Sequence, residues 1–339
     1  SKELCVSRNT VIKTFDQLCD EGFLINKAGS GAFVNTKSLD HVFNPSTQNQ
    51  HLTFKLPTLS HFAQSIQNSI KDSSPNQPFS PGLTALDEFP FKIWQQLFKR
   101  HADRKQLYGY DVVNGYLPLR EALSDYLAHS RGVQCDAEQI IITQGAQQAI
   151  TLCAQVLLNS GEQVLMEEPG YRSATSAFQA FGAEVSSVSL KNNRIDVASL
   201  NNQSFTKAKV LYCTPTHQYP MGGILPASER MALLSWAAET KTWIIEDDYD
   251  SEFHFSQKPV ASIQGLADAA PVLYLGSFSK TLFPGLRLGY LVVPKAVVSF
   301  FNSAKSATYG ESNLLTQAVL TDFIKEGHFT RHIRRMRQS

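Results

Sequence analysis

Lys280 stands at the end of an apolar run, in Ser277-Phe278-Ser279-Lys280, and Pro284-Gly285-Leu286-Arg287 follows it. A lysine amine condenses with an aldehyde to form a Schiff base. The hydroxyls of Ser277 and Ser279 and the guanidinium of Arg287 suit a phosphate. Asp247 and Tyr249, in Ile245-Glu246-Asp247-Asp248-Tyr249-Asp250, close a second apolar run. A buried carboxylate there keeps the nitrogen of a pyridine ring protonated. Thr143-Gln144-Gly145-Ala146-Gln147 lies between a third apolar run and a helical pattern. Backbone N–H groups at such a helix start, with a glycine permitting close approach, make an anion site. Tyr171, in Glu168-Pro169-Gly170-Tyr171, offers a ring to stack on a flat ligand. Taken singly, each has a plain structural explanation: a solvated lysine, an acidic helix cap, an ordinary turn, a core tyrosine. Together they describe a pocket for pyridoxal 5′-phosphate.

The elements that must position these residues are short and apolar. Ile140–Ile142, Val164–Met166, Val210–Tyr212, Trp243–Ile245 and Val272–Leu275 are strand-length runs, with helical patterns from Ala146 and near Ser173 between them. Continuous apolar strands separated by helices predict a mostly parallel sheet covered on both faces, an α/β domain over residues 79–339. Ligands of such sheets bind outside the carboxyl ends of the strands. Gly145, Asp247, Tyr249 and Lys280 all fall there.

From about residue 80 onward, this order of Gly-rich turn, aromatic, Asp with Tyr, and Ser-x-Ser-Lys with Arg resembles the fold-type I aminotransferases. The resemblance implies that Lys280 is the aldimine lysine and Asp247 the partner of the pyridine nitrogen. Tyr249 is similar to the group bonded to the ring oxygen, and Tyr171 to the stacking aromatic. Gly145, Ala146, Gln147, Ser277, Ser279 and Arg287 resemble the phosphate cradle. Tyr108, with Gly109, Gly115 and Leu119-Arg120 after it, resembles a residue that reaches the phosphate of a neighbouring subunit, which implies a homodimer. One loop departs from the aminotransferase pattern Asn-Pro-x-Asn-Pro-x-Gly. It reads Thr214-Pro215-Thr216-His217-Gln218-Tyr219-Pro220-Met221-Gly222, placing His217 where the ring-oxygen asparagine is expected.

Residues 1–36 form a different unit. A helix begins at Ser7-Arg8-Asn9-Thr10-Val11, with Ser7 as its cap, Val11, Phe15 and Leu18 at helical spacing, and Gly22 at its end. Phe23-Leu24-Ile25 and Ala32-Phe33-Val34 are strands around a turn, Lys27-Ala28-Gly29-Ser30-Gly31, and a shorter helix closes over Leu4 to Val6. This resembles the GntR-type winged helix with its first helix missing. The resemblance implies that Arg8, Asn9, Thr10 and Lys13 face double-stranded DNA. Ser7, Lys27 and the wing tip Gly29-Ser30-Gly31 would approach its backbone. The plainer alternative is a small helical cap on an enzyme. Residues 37–78, rich in Asn, Gln, Ser and Pro, read as a linker, with part of a helix around His61 to Ile70. Winged helix, polar linker and aminotransferase-like domain together resemble the MocR-type transcriptional regulators.

Bulk properties bound these readings. A chain of 339 residues predicts more than one domain. Lys+Arg number 31 against Asp+Glu 30, a net charge of +1, so any DNA contact is local rather than spread over a basic surface. The five cysteines are scattered without a C-x-x-C pair, which predicts no metal site and a reducing compartment. No apolar run is long enough to cross a membrane and no signal peptide is visible, so a soluble cytoplasmic protein is expected. Ser1-Lys2-Glu3-Leu4 opens as if partway along a helix, and Arg331 to Arg337 closes within a basic one. A fragment lacking most of a C-terminal small domain is therefore expected. The expected function is a regulator that senses pyridoxal phosphate, an amine or an amino acid through aldimine exchange at Lys280. An aminotransferase with a vestigial winged helix, and a regulator responding to the cofactor alone, are the alternatives.

Overall fold

In the computed structural model, which describes residues 5–36, 57–67, 82–254, 261–267 and 270–338, the chain divides between Ser60 and His61 into two units. The first opens on helix α1 (Arg8–Asp20), where Ser7 Oγ accepts the Thr10 N–H at 3.1 Å. Gly22, at φ +79°, turns the chain out of the helix, a conformation that favours glycine. Strands β1 (Leu24–Lys27) and β2 (Gly31–Val34) then pair antiparallel, with Lys27 opposite Gly31. The expected ribbon is present with one change: Lys27 ends the first strand instead of opening the turn. Of the three residues at helical spacing, Val11 and Leu18 are half-buried while Phe15 is 45% exposed. Leu4, in the shorter helix expected to close at Val6, lies outside the described residues, as does most of the expected linker.

The second unit begins with helix α2 (His61–Gln67), inside the span where a helix was expected. Helices α3 (Phe91–Ala102) and α4 (Leu117–Arg131) follow. Strand β3 (Ile140–Thr143) and helix α5 (Ala146–Leu157) come next, then β4 (Gln163–Glu168), α6 (Arg172–Ala180), β5 (Glu184–Lys191) and β6 (Arg194–Ile195). Strand β7 (Val210–Cys213), helix α7 (Ala227–Thr240), β8 (Trp243–Asp248), β9 (Val272–Ser277) and β10 (Gly289–Val292) complete the sheet. Helices α8 (Val298–Thr308), α9 (Leu314–Lys325) and α10 (His328–Met336) end the unit.

The eight strands lie in the order β3-β10-β9-β8-β7-β4-β5-β6. β9, β8, β7, β4 and β5 run parallel, while β10 is antiparallel to both β9 and β3. Two reversals therefore leave β3 pointing the same way as the parallel block. Side chains alternate across the sheet as strand geometry requires. Ile141, Ile245, Leu273, Leu275 and Leu291 join α5, α6 and α8 in one buried cluster. Ile140, Ile142, Tyr274, Tyr290 and Val292 join α4, α9 and α10 on the other face, where Ile244 and Val272 meet α7. Both faces are covered, which is why the strands read as unbroken apolar runs. Among the described residues no helix is long and apolar enough to cross a membrane. None of their His, Cys, Asp or Glu side chains group so as to hold a metal ion.

Candidate functional site

The parallel direction of β3, β4, β7, β8 and β9 brings their carboxyl ends to one edge of the sheet. A cavity of about 960 Å³ opens there. It is lined by Gly145, Ala146, Gln147, Tyr171, His217, Asp247, Tyr249, Ser277, Ser279, Lys280 and Arg287. These are the expected cofactor residues, gathered from five separate stretches of chain. Tyr108 is the exception. It is 63% exposed, away from the cavity, and its hydroxyl donates to Ala102 O at 2.7 Å.

Asp247 is buried on the face of β8 that carries Ile245, while its neighbours Glu246 and Asp248 turn to the other face. Glu246 meets Arg230 and the Ile263 and Gln264 N–H groups. Asp248 accepts from Arg131 at 2.7 Å and from the Tyr274 hydroxyl. The Tyr212 hydroxyl donates to Asp247 Oδ2, whereas Oδ1 is buried with no partner among the described residues. Burial pushes the Asp247 carboxyl up to about 7, against the opposing Tyr212 hydrogen bond. A buried carboxylate oxygen without a donor, on the wall of a cavity, fits the N–H of a protonated ring nitrogen.

The anion side of the cavity is backbone-built. Gly145, at φ +83° and ψ 178°, precedes the first turn of α5, whose early N–H groups have no partner within the helix. Gly289 passes so close that a Cβ on it would lie 3.0 Å from the Gly145 Cα and 2.9 Å from the Gly276 oxygen. Gln147 donates its side-chain amide to Ser173 O at 3.0 Å, which ties α5 to α6. Arg287 follows the turn Pro284–Leu286 in a left-handed conformation, φ +49°, uncommon for a residue with a side chain. Its backbone N–H donates to Pro284 O at 3.3 Å, while its guanidinium makes no hydrogen bond or ion pair among the described residues. The fit to a phosphate rests on these N–H groups, the Ser277 and Ser279 hydroxyls and that unengaged guanidinium.

Lys280 Nζ donates to Gly82 O at 3.1 Å. Burial holds its ammonium below the usual lysine range, raising the share of neutral, nucleophilic amine. Tyr219 stands edge-on between Tyr171 and Tyr249, 5.8 Å from each ring centroid. His217 Nδ1 lies 2.8 Å from Asp250 Oδ1, and that hydrogen bond raises the imidazole's affinity for a proton.

Several residues of the site were not singled out from sequence: Tyr212, Thr214, Tyr219, Asp250 and the segment from Gly82 to Ala85. Glu167 is another. Its Oε2 accepts the Thr214 N–H at 3.1 Å, the Thr214 hydroxyl at 2.6 Å and the Gln218 amide at 3.4 Å, so it fastens the loop that carries His217. Burial pushes this carboxyl up to about 7. The one available signal was position, since Glu167 sits at the end of an apolar run as Asp247 does.

The raised carboxyls give the cofactor-free protein a pH dependence. Asp247, Glu167 and Glu252 each rise to about 7 on folding, from roughly 4 in an unfolded chain. The stability they contribute is complete below the unfolded values and is lost as pH rises through 7. The raised His217 acts in the same sense. Thermal melts between pH 5 and pH 8 are expected to fall in Tm, and Glu167→Gln is expected to flatten the fall. An equally steep fall in Glu167→Gln contradicts the assignment to Glu167.

Comparison with known proteins places this architecture in a class. Residues 82–339 match the family described as aminotransferase class I and II. The kynurenine aminotransferase of Pyrococcus horikoshii, solved in complex with PMP, kynurenine as substrate and its product, superimposes with a TM-score of 0.72 at 28% identity, covering 86% of this chain and 73% of that one. Over all of this chain and 68% of its own length, the probable rhizopine catabolism regulatory protein MocR of Rhizobium meliloti is 40% identical. An uncharacterized HTH-type transcriptional regulator of Bacillus subtilis (strain 168) is 31% identical over all of this chain and 70% of its own. The chain belongs to the aminotransferase class I and II family, and within it to the MocR-type regulators. Its cofactor is pyridoxal 5′-phosphate.

Proposed function

We propose that this protein is a DNA-binding transcriptional regulator whose aminotransferase-like domain senses pyridoxal phosphate, an amine or an amino acid at Lys280. The observation that carries the proposal is the union in one chain of a furnished cofactor cavity and a unit that exposes Arg8, Asn9, Thr10 and Lys13 along one helix. When bound, the cofactor supplies an aldehyde and a ring that accepts electrons. Lys280 holds it covalently, Asp247 keeps the ring nitrogen protonated, and Tyr171 covers one ring face. Tyr249 and His217 meet the ring oxygen. Gly145, Ala146, Gln147, Ser277, Ser279 and Arg287 hold the phosphate, with Tyr108 contributed across a homodimer. An incoming amine competes with Lys280, and the two states differ in how they place two DNA-binding units. Such coupling requires only that the effector bind one arrangement better than the other.

Ser7 and Thr10 share a hydroxyl hydrogen bond of 2.8 Å, which leaves Arg8 and Asn9 as the side chains suited to base edges. Lys13, Lys27 and the Gly29-Ser30-Gly31 tip suit phosphates. The test titrates labelled duplex from upstream of the protein's own gene, and a scrambled duplex, at fixed salt with and without pyridoxal phosphate. Preference for the upstream duplex, shifted by the cofactor, is the expected result. Arg8→Ala should cost about 1–3 kcal/mol and relax the preference, whereas Lys13→Ala should weaken both duplexes alike and lower the salt slope by about one. The intact cavity keeps one alternative, an aminotransferase with a vestigial winged helix. Multiple turnovers with an amino donor and a keto acceptor, and equal weak binding of both duplexes, would favour it.

A further inference from the structure

The cationic and anionic groups of the cavity are unevenly used. Lys280, Arg287 and His217 bring positive charge, and Asp247 and Asp250 are the lining carboxylates among the described residues. Asp247 lies at the buried end, taken by Tyr212 and suited to the ring nitrogen. Asp250 has no such assignment. Its Oδ1 is occupied by His217 Nδ1 at 2.8 Å, and no other side-chain hydrogen bond of Asp250 occurs among the described residues. Whether the imidazole is neutral or charged, Nδ1–H donates to Oδ1, which fixes the carboxylate and leaves Oδ2 for a second donor. Asp250 is also the one carboxylate whose field supports the charged form of Lys280. Both side chains line the same cavity.

We infer that Asp250, oriented by His217, is the carboxylate that receives the ammonium group of an incoming amine beside Lys280. The inference rests on the reading that an amine exchanges at Lys280. Alkylamines and amino acids are protonated near pH 7. Such a molecule enters as a cation and must give up a proton before its nitrogen can attack. One carbon–nitrogen bond forms to the incoming nitrogen and the bond to Lys280 Nζ breaks. As the carbon–nitrogen double bond passes to it, the incoming ammonium gives up its three N–H protons, and Nζ takes up three as it leaves as an ammonium; no electrons are gained or lost overall. A carboxylate lining the same cavity as Lys280 recruits the first cation and balances the second. Asp247, the other lining carboxylate among the described residues, is engaged by the Tyr212 hydroxyl at the buried end, which leaves Asp250 to meet the ammonium. The ligand class that follows is a primary amine, with an acidic group optional.

The experiment uses the full-length protein loaded with pyridoxal phosphate. It follows the Lys280 absorbance band against two probes: ethylamine, cationic at pH 7, and methoxyamine, uncharged there. Asp250→Asn is expected to raise the ethylamine concentration for half-conversion on the order of tenfold, as loss of a hydrogen bond to a charged group implies, while leaving methoxyamine unchanged. Asp250→Glu should recover much of the ethylamine response. An equal loss with both probes, or none with either, overturns the assignment to Asp250. If Asp250→Asn does not load cofactor, His217→Leu keeps the carboxylate and removes its orienting donor. It must then show a smaller loss of the same amine-selective kind, and an unselective loss overturns the assignment. If the native protein responds to neither probe, amine exchange itself fails, a result distinct from a failure of Asp250.

Discussion

Lys280→Ala protein is expected to lack the visible absorbance band of the cofactor Schiff base altogether, at any pyridoxal phosphate concentration. The reason is chemical: among the lining residues Lys280 is the primary amine available to the aldehyde. Borohydride, which reduces a Schiff base to a stable secondary amine, should label the native protein on the peptide that contains Lys280 and leave the variant unlabelled. Weaker, non-covalent retention should survive, because the N–H groups after Gly145, the two serines, Arg287 and Asp247 remain. That residue of affinity separates two roles of the lysine. If DNA binding by Lys280→Ala still responds to pyridoxal phosphate, occupancy of the cavity is what the DNA-binding unit senses. If the response is gone, the covalent link is required. A band of native strength in the variant would refute the assignment of Lys280.

Arg131→Ala is expected to produce the largest loss of stability. Both members of the Arg131–Asp248 pair are buried, at 2.7 Å, and Arg131 also donates to Thr216 Oγ1 at 2.8 Å. Asp248 Oδ1 already has no partner among the described residues. Truncating the arginine leaves a buried carboxylate held by the Tyr274 hydroxyl alone. Breaking one side of such a pair costs about 3–5 kcal/mol, which for a unit of this size lowers Tm by roughly 10 °C. Asp248→Asn in the same chain removes the stranded charge, so the double variant should be less destabilised than the sum of the singles. The cavity should feel the change as well. Thr216 precedes His217, and Asp248 follows Asp247 on the same strand. A strictly additive double variant would show that Arg131 and Asp248 do not act as a pair.

What could be read from sequence, and what could not, divides along physical lines. Ile140–Ile142, Val210–Tyr212 and Val272–Leu275 were legible because strands covered on both faces carry apolar residues without interruption. Strand β5 (Glu184–Lys191) was not. It lies near the sheet edge with its residues largely half-buried or exposed, so no apolar run marks it. β10 (Gly289–Val292) was missed because its four residues follow directly on the loop of Lys280 and Arg287. Lys280, Asp247 and Gly145 could be placed at strand ends from type and position, and all three line the cavity. Tyr212, Glu167 and the pairing of His217 with Asp250 depend on which strands lie side by side. Sequence order does not reveal that arrangement: β4, β7 and β8 are neighbours, but Glu167, Tyr212 and Asp247 are far apart along the chain. The burial that lifts Asp247 and Glu167 is likewise a property of the folded sheet.

The place of β10 has a consequence for how the protein comes into being on the ribosome. Among the described residues β3 has no strand partner other than β10, which follows every other described strand in the sequence and reverses direction to fill the gap between β3 and β9. Until Gly289–Val292 has emerged, the strand that leads into Gly145 cannot be paired, and the glycine passage that sets Gly145 against Gly276 does not exist. A growing chain therefore carries an unpaired apolar β3 while the stretch from Thr143 to Gly289 is made, with contacts that close only over long sequence separations. The anion side of the cavity is therefore assembled only after β10 has joined the sheet. Cells short of pyridoxal phosphate would accumulate a protein whose sheet is complete but whose cavity lacks its ligand's stabilisation.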